Sequence, residues 1–241
     1  MFNLMKIEMK KAKFGGYIKT SLIINIVIAA FVILIMSVDN SPNAQAHIQV
    51  NEASMQNNLS AILSFVSLFT KVAFIVYASV LLSRLVIDEF RNKTINILFM
   101  YPINRKKLII SKLLLIMTFT LINIIFANIM INAIFFIYNS FAHVVSFNFD
   151  TTLIVEHTIS VIVTAITASC ISMIPLFFGM RKYSVPTTIV SSIIVTSLLS
   201  SSFSSHFNLN DIIFIPISLS IIGLVIAYLA IFNIEKIDVT N

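Results

Sequence analysis

Residues 108–138 read LIISKLLLIMTFTLINIIFANIMINAIFFIY, a run of 31 residues in which Lys112 is the single charge. A membrane-spanning helix needs about 20 largely apolar residues, because the hydrocarbon core is about 30 Å thick and a helix rises about 1.5 Å per residue. As a helix this run reaches about 46 Å, so it must tilt strongly or project beyond the bilayer. Outward from it lie five further apolar runs, at 17–38, 62–85, 153–179, 186–203 and 212–233. Together they predict an all-α polytopic membrane protein with six transmembrane helices, a single domain over residues 1–241. The 186–203 run is short and rich in serine.

Composition agrees. The chain is 58% hydrophobic and only 11% charged, where a soluble domain carries about 25% charged residues. That much apolar surface needs lipid as its solvent. The 17–38 run is longer than a signal-peptide core and has no clear small-residue cleavage site after it, so it is expected to remain as the first span. Cys170 is the only cysteine, which excludes an intramolecular disulfide. In its apolar run it reads as a small buried hydrophobe. His47, His143, His157 and His206 lack ligand-like spacing, so no metal site is expected.

Fifteen of the sixteen Lys and Arg residues fall on one side, in alternate inter-span segments or at the run ends beside them. The N-terminal segment holds Lys6, Lys10, Lys11, Lys13 and Lys19. The segment after the second run holds Arg84, Arg91, Lys93, Arg105, Lys106 and Lys107, with Lys112 just beyond. Arg181 and Lys182 follow the fourth run, and Lys236 lies in the tail. Segments 39–61, 139–152 and 204–211 have none. The positive-inside rule then puts both termini in the cytoplasm. Juxtamembrane cations serve topology and anionic lipid, so the net charge of +6 does not argue for nucleic acid.

Residues 1–16 form an element of their own. Phe2, Met5, Met9 and Ala12 recur at helical spacing, with Lys6, Lys10 and Lys13 on another face. Gly15-Gly16 then interrupts the pattern. This predicts an amphipathic helix in the inner interface, its lysines towards anionic headgroups.

After the second run comes Asp88-Glu89-Phe90-Arg91-Asn92-Lys93-Thr94-Ile95-Asn96-Ile97-Leu98, then Pro102, Arg105 and Ser111-Lys112. The acidic pair favours a helix start, and Pro102 disfavours helix in the residue before it. A short helix over 88–98 is expected. This order resembles the cytoplasmic loop of type-2 ABC exporter permeases, although Asn92-Lys93-Thr94 stands where Gly-Thr is common. The layout of the whole chain is similar to that family, with an interfacial N-terminal helix, six spans and a short tail. The chain is also similar in type to bacterial peptide-exporter and immunity permeases.

The resemblance implies a multi-pass subunit of the bacterial cell membrane, working as a homodimer with two copies of an ABC ATPase subunit and moving an amphipathic peptide. In that family the short cytoplasmic helix enters a groove on the ATPase. Carried over, Asp88, Glu89, Phe90, Arg91, Lys93, Thr94 and Ile95 are the ATPase-coupling residues, with Glu89 and Arg91 in polar contact. The chain has four glycines and no G-x-x-x-x-G-K-[ST] loop. ATP and Mg are therefore expected on the partner, with no catalytic residue and no cofactor here.

Lys71 lies inside the second apolar run, where a charge costs several kcal/mol unless it faces a cavity, a partner or the headgroups. Glu156, near the outer end of the fourth run, is its most plausible partner. Lys71 and Glu156 are the candidate pathway residues. The alternative class, an ion-coupled secondary transporter or channel, would need more intramembrane carboxylates than these. An intramembrane enzyme lacks its motifs. Small residues (Ser160, Ala165, Ala168, Ser169, Ser191, Ser192) suit close helix approach, and Pro175, Pro186 and Pro216 predict kinks or span boundaries.

Overall fold

The computed structural model describes residues 2–11, 14–39, 52–92, 105–142, 151–200, 202–204, 207–208 and 214–233. Helices α1 (Phe2–Lys11) and α2 (Gly15–Asp39) open the chain. Next, α3 (Glu52–Leu82) passes through a π turn (Ser83–Ile87) into α4 (Asp88–Arg91). Helix α5 (Arg105–Ala142) follows, then α6 (Thr151–Ile171), α7 (Ile174–Lys182) and α8 (Val185–Ser200). A small antiparallel ribbon pairs β1 (Ser202–Ser204) with β2 (Phe207–Asn208), ahead of the last helix, α9 (Phe214–Asn233).

Among the described residues, four stretches are long and apolar enough to cross a membrane: Gly15–Leu34, Ser67–Arg91, Lys107–Ile134 and Thr158–Arg181. Val185–Ser200 and Pro216–Ala230 are shorter apolar helices. The expected excess length of the third run is present, because α5 has 38 residues and is about 57 Å long.

Helix α3 is central. It packs against α2, α5, α6 and α8, and its Phe74, Ile75, Ala78, Leu81 and Leu82 are fully buried. Side chains three and four residues apart stack on one helical face, so this single stripe serves several neighbours. Other faces carry large apolar groups outward, such as Ile26 on α2, Ile129 on α5 and Val190, Ile193, Ile194 and Leu198 on α8. Most of the small residues lie at close helix contacts. Ala165, Ala168 and Ser169 are buried in α6, and Ser79 of α3 donates a hydrogen bond to Ser192 of α8 at 2.9 Å. Ser160 is the exception and is exposed.

The fourth apolar run is not one helix. It breaks at Ser172–Met173, because Pro175 has no N–H to return to the carbonyl four residues back. Met173 and Leu176 instead donate to the carbonyls of Cys170 and Met173, both at 3.1 Å, a tighter spacing that carries the chain across the break. The N-terminal break also differs from expectation. It falls before Gly15-Gly16, and both glycines lie in the first turn of α2 without positive φ.

Candidate functional site

The end of the molecule that carries most of the Lys and Arg is built from α1, the π turn with α4, the start of α5 and the α7–α8 corner. The π turn sets its geometry. The Asp88 N–H donates to the Ser83 carbonyl, five residues back. One inserted residue turns everything after it by roughly 100° relative to a straight α-helix. Gly179 of α7 makes room for this wider turn, since a Cβ there would run into the Ile87 side chain and the Thr188 hydroxyl. No break in helical backbone separates α4 from the second span, for Leu82, Ile87 and Asp88 all hold right-handed helical angles. The acidic pair expected to start a new helix instead ends the long one.

Beyond the π turn, successive side chains point to different partners. Glu89 turns inward. Its Oε2 pairs with the Lys112 ammonium and its Oε1 with Lys11, at 3.0 Å. Lys112, only 3% exposed, also lies 3.7 Å from Glu8 Oε2 and donates to the Leu85 carbonyl of the π turn at 3.2 Å. Among the described residues, two carboxylates and two ammonium groups thus join α1, α4 and α5 in one node. Phe90 stacks on Tyr183, with ring centroids 6.0 Å apart and an interplanar angle of 26°. Tyr183 occupies the α7–α8 corner in a left-handed conformation, φ 45°, which few non-glycine residues adopt. Arg91 points outward and is exposed, and Asp88 is half-buried. Lys93, Thr94 and Ile95, the rest of the expected coupling helix, lie outside the described residues.

Sequence reasoning counted Lys112 as a juxtamembrane cation and as part of the order that carries the resemblance, and gave it no partner. A usable signal was present, since Glu8, Asp88 and Glu89 are the carboxylates that accompany the basic segments ahead of the tail. Two of these three converge on this lysine.

The intramembrane pair is placed in part. Lys71 is half-buried in α3, which packs against α6, the helix that carries Glu156. The Glu156 side chain lies outside the described residues. If the two pair, Lys71→Met and Glu156→Gln will show non-additive losses in a double-mutant cycle of transport; additive losses would exclude the pair. Between these levels the interior holds many buried hydroxyls and amides. Most bond carbonyls of their own helix, as Thr120 and Asn128 do. Asn25 of α2 is 4% exposed, and its amide has no hydrogen-bond partner among the described residues.

The fold and this junction define a polytopic helical membrane protein whose basic end ties a loop-proximal helix to its other helices. Residues 4–200 match the family described as ABC-2 family transporter protein, and the chain belongs to that family as a membrane component. Family membership implies association with an ABC ATPase. The chain is similar to an uncharacterized protein, YcbO, of Bacillus subtilis (strain 168), with 38% identity over 98% of this chain and 99% of the relative. No solved structure matches significantly.

Proposed function

We propose that this chain is the membrane-spanning subunit of an ATP-driven exporter of amphipathic or antimicrobial-type peptides, with ATP and Mg bound by a separate ATPase subunit. The reading includes six spans, both termini in the cytoplasm, a homodimer of this chain and two ATPase copies in the bacterial cell membrane. Within the family it is similar in type to peptide-exporting permeases such as the staphylococcal phenol-soluble modulin exporter, and to bacitracin and lantibiotic self-protection permeases. The observation that carries it is the double tie of α4, by Glu89 to Lys112 and by Phe90 to Tyr183. A push on the segment that follows Asn92 reaches α1, α5 and the α7–α8 corner through contacts made within two residues of each other. A solvated loop of topological use only would not need a buried ion pair there.

In this reading the coupling residues divide the work. Glu89 transmits force inward, and exposed Arg91 meets the ATPase. Arg91→Glu is therefore expected to lower permease-stimulated ATP hydrolysis about tenfold or more, since truncating a central interface charge costs 2 kcal/mol or above. Membrane insertion and melting temperature should stay unchanged. The measurement is ATP turnover by the ATPase that copurifies with the chain from native membranes. Full stimulation in the variant, or purified chain that binds no ATPase and moves peptide on an ion gradient alone, would overturn the assignment.

A further inference from the structure

We propose that the groove between α1 and the first turn of α2 is a stoichiometric binding site for one anionic phospholipid. It goes beyond general attraction to the membrane surface, and it rests on the membrane reading of the chain but not on the ATPase or the cargo. Helix α1 divides its charges. Glu8 and Lys11 turn to the ion-pair node. Lys6 and Lys10 face the other way and, with Lys19 of α2, rim a groove of about 720 Å³. No carboxylate lines it, and among the described residues these three lysines form no ion pair. Between the lysines the walls are apolar: Met9, Phe14 and Ile18. Met9 and Ile18 are 43% and 46% exposed.

Three unneutralised cations beside exposed apolar walls select the ligand's chemistry. Inorganic phosphate would leave the walls wet. A zwitterionic lipid would leave the net charge uncompensated. An anionic phospholipid places phosphate among the lysines and acyl chain against Met9 and Ile18.

The glycines give a second, independent indication. Gly15 and Gly16 line the same groove. A Cβ at either would meet nothing within 4 Å, and neither has positive φ. Glycine is a poor helix former, yet neither packing within the chain nor backbone conformation calls for it here. Close approach of a headgroup to the backbone does, at the positive end of the α2 dipole.

The test is native mass spectrometry of the full-length protein released from detergent, titrated with phosphatidylglycerol, with phosphatidylcholine of the same chains, and with inorganic phosphate. One phosphatidylglycerol per chain should be retained at concentrations where phosphatidylcholine is lost. Lys6→Gln, Lys10→Gln and Lys19→Gln should each weaken retention roughly fivefold, whereas Arg181→Gln, an exposed cation at the same end outside the groove, should not. A Cβ at Gly16 has open space around it and the rest of a Leu side chain would extend into the groove, so Gly16→Leu should keep the melting temperature and lose the lipid. Equal retention of phosphatidylcholine, displacement of phosphatidylglycerol by millimolar phosphate, or unchanged retention in Gly16→Leu would overturn the proposal.

Discussion

Lys112→Met is expected to destabilise the protein by about 3–5 kcal/mol, the cost of removing one partner from a buried ion cluster. The side chain is 3% exposed, against 17% for Glu89 and 12% for Glu8. Its loss removes the buried cation that Glu8 and Glu89 share, and Lys11, the other cation paired with Glu89 among the described residues, is 48% exposed. It also strips a donor from the Leu85 carbonyl in the π turn. Lys11→Met removes an exposed partner and should cost no more than about 1 kcal/mol. Glu89→Gln falls between, because Lys112 keeps Glu8. Thermal unfolding of the detergent-purified variants measures the order. The double variant Lys112→Met/Glu89→Gln should recover part of the stability lost in Lys112→Met, since it no longer strands a charge on Glu89. Equal, small losses for Lys11→Met and Lys112→Met would show that the node contributes nothing beyond a surface pair.

Functional loss should follow the same order. If α4 transmits force through this node, as the proposed function has it, Lys112→Met and Glu89→Gln will uncouple ATP turnover from transport while the ATPase stays bound. Arg91→Glu will instead release it.

Parts of this were legible in the sequence for physical reasons. Apolar runs report burial locally, so the helices at 15–39, 105–142 and 214–233 were readable to within a few residues. Charge bias reports on the segments between them in the same local way. Pro175 marked the fourth run for interruption, and the break sits at Ser172–Met173 on its N-terminal side, where the missing N–H takes effect. What escaped was long-range. Lys112 meets Glu89, 23 residues away, because a π turn rotates that carboxylate inward, and the π turn carries no residue signature. The Phe90–Tyr183 stack joins residues 93 positions apart, by subtraction of their numbers. The run of residues 88–98 looked like a separate helix because its composition changes at Asp88, yet the backbone is continuous up to Arg91. Composition marks where solvent begins, not where a helix ends.

Gly223 is the other position where one atom should matter most. It stood in the sequence as an isolated glycine in an apolar run, a place where Gly is tolerated without special reason in membrane helices. In the structure it is the point where α9 crosses α6. A Cβ built there would collide with the Cys170 carbonyl oxygen and lie 2.9 Å from the carbonyl carbon. These are backbone atoms on the last turn of α6, just before the break at Ser172–Met173, and no rotamer change can move them aside. Small residues let membrane helices approach closely and gain van der Waals contact along their length, and here that contact holds α9 on the bundle. Gly223→Ala must therefore push α9 outward or bend α6, at about 1–3 kcal/mol for overpacking, and Gly223→Val should exceed that range. The Gly179 site provides the internal control. A methyl there meets side-chain atoms, the end of Ile87 and the Thr188 hydroxyl, rather than backbone, so Gly179→Ala should cost less than Gly223→Ala. Limited proteolysis and thermal unfolding of the purified variants would read both effects. A Gly223→Val protein that melts with the wild type would mean that α9 is not held at this crossing.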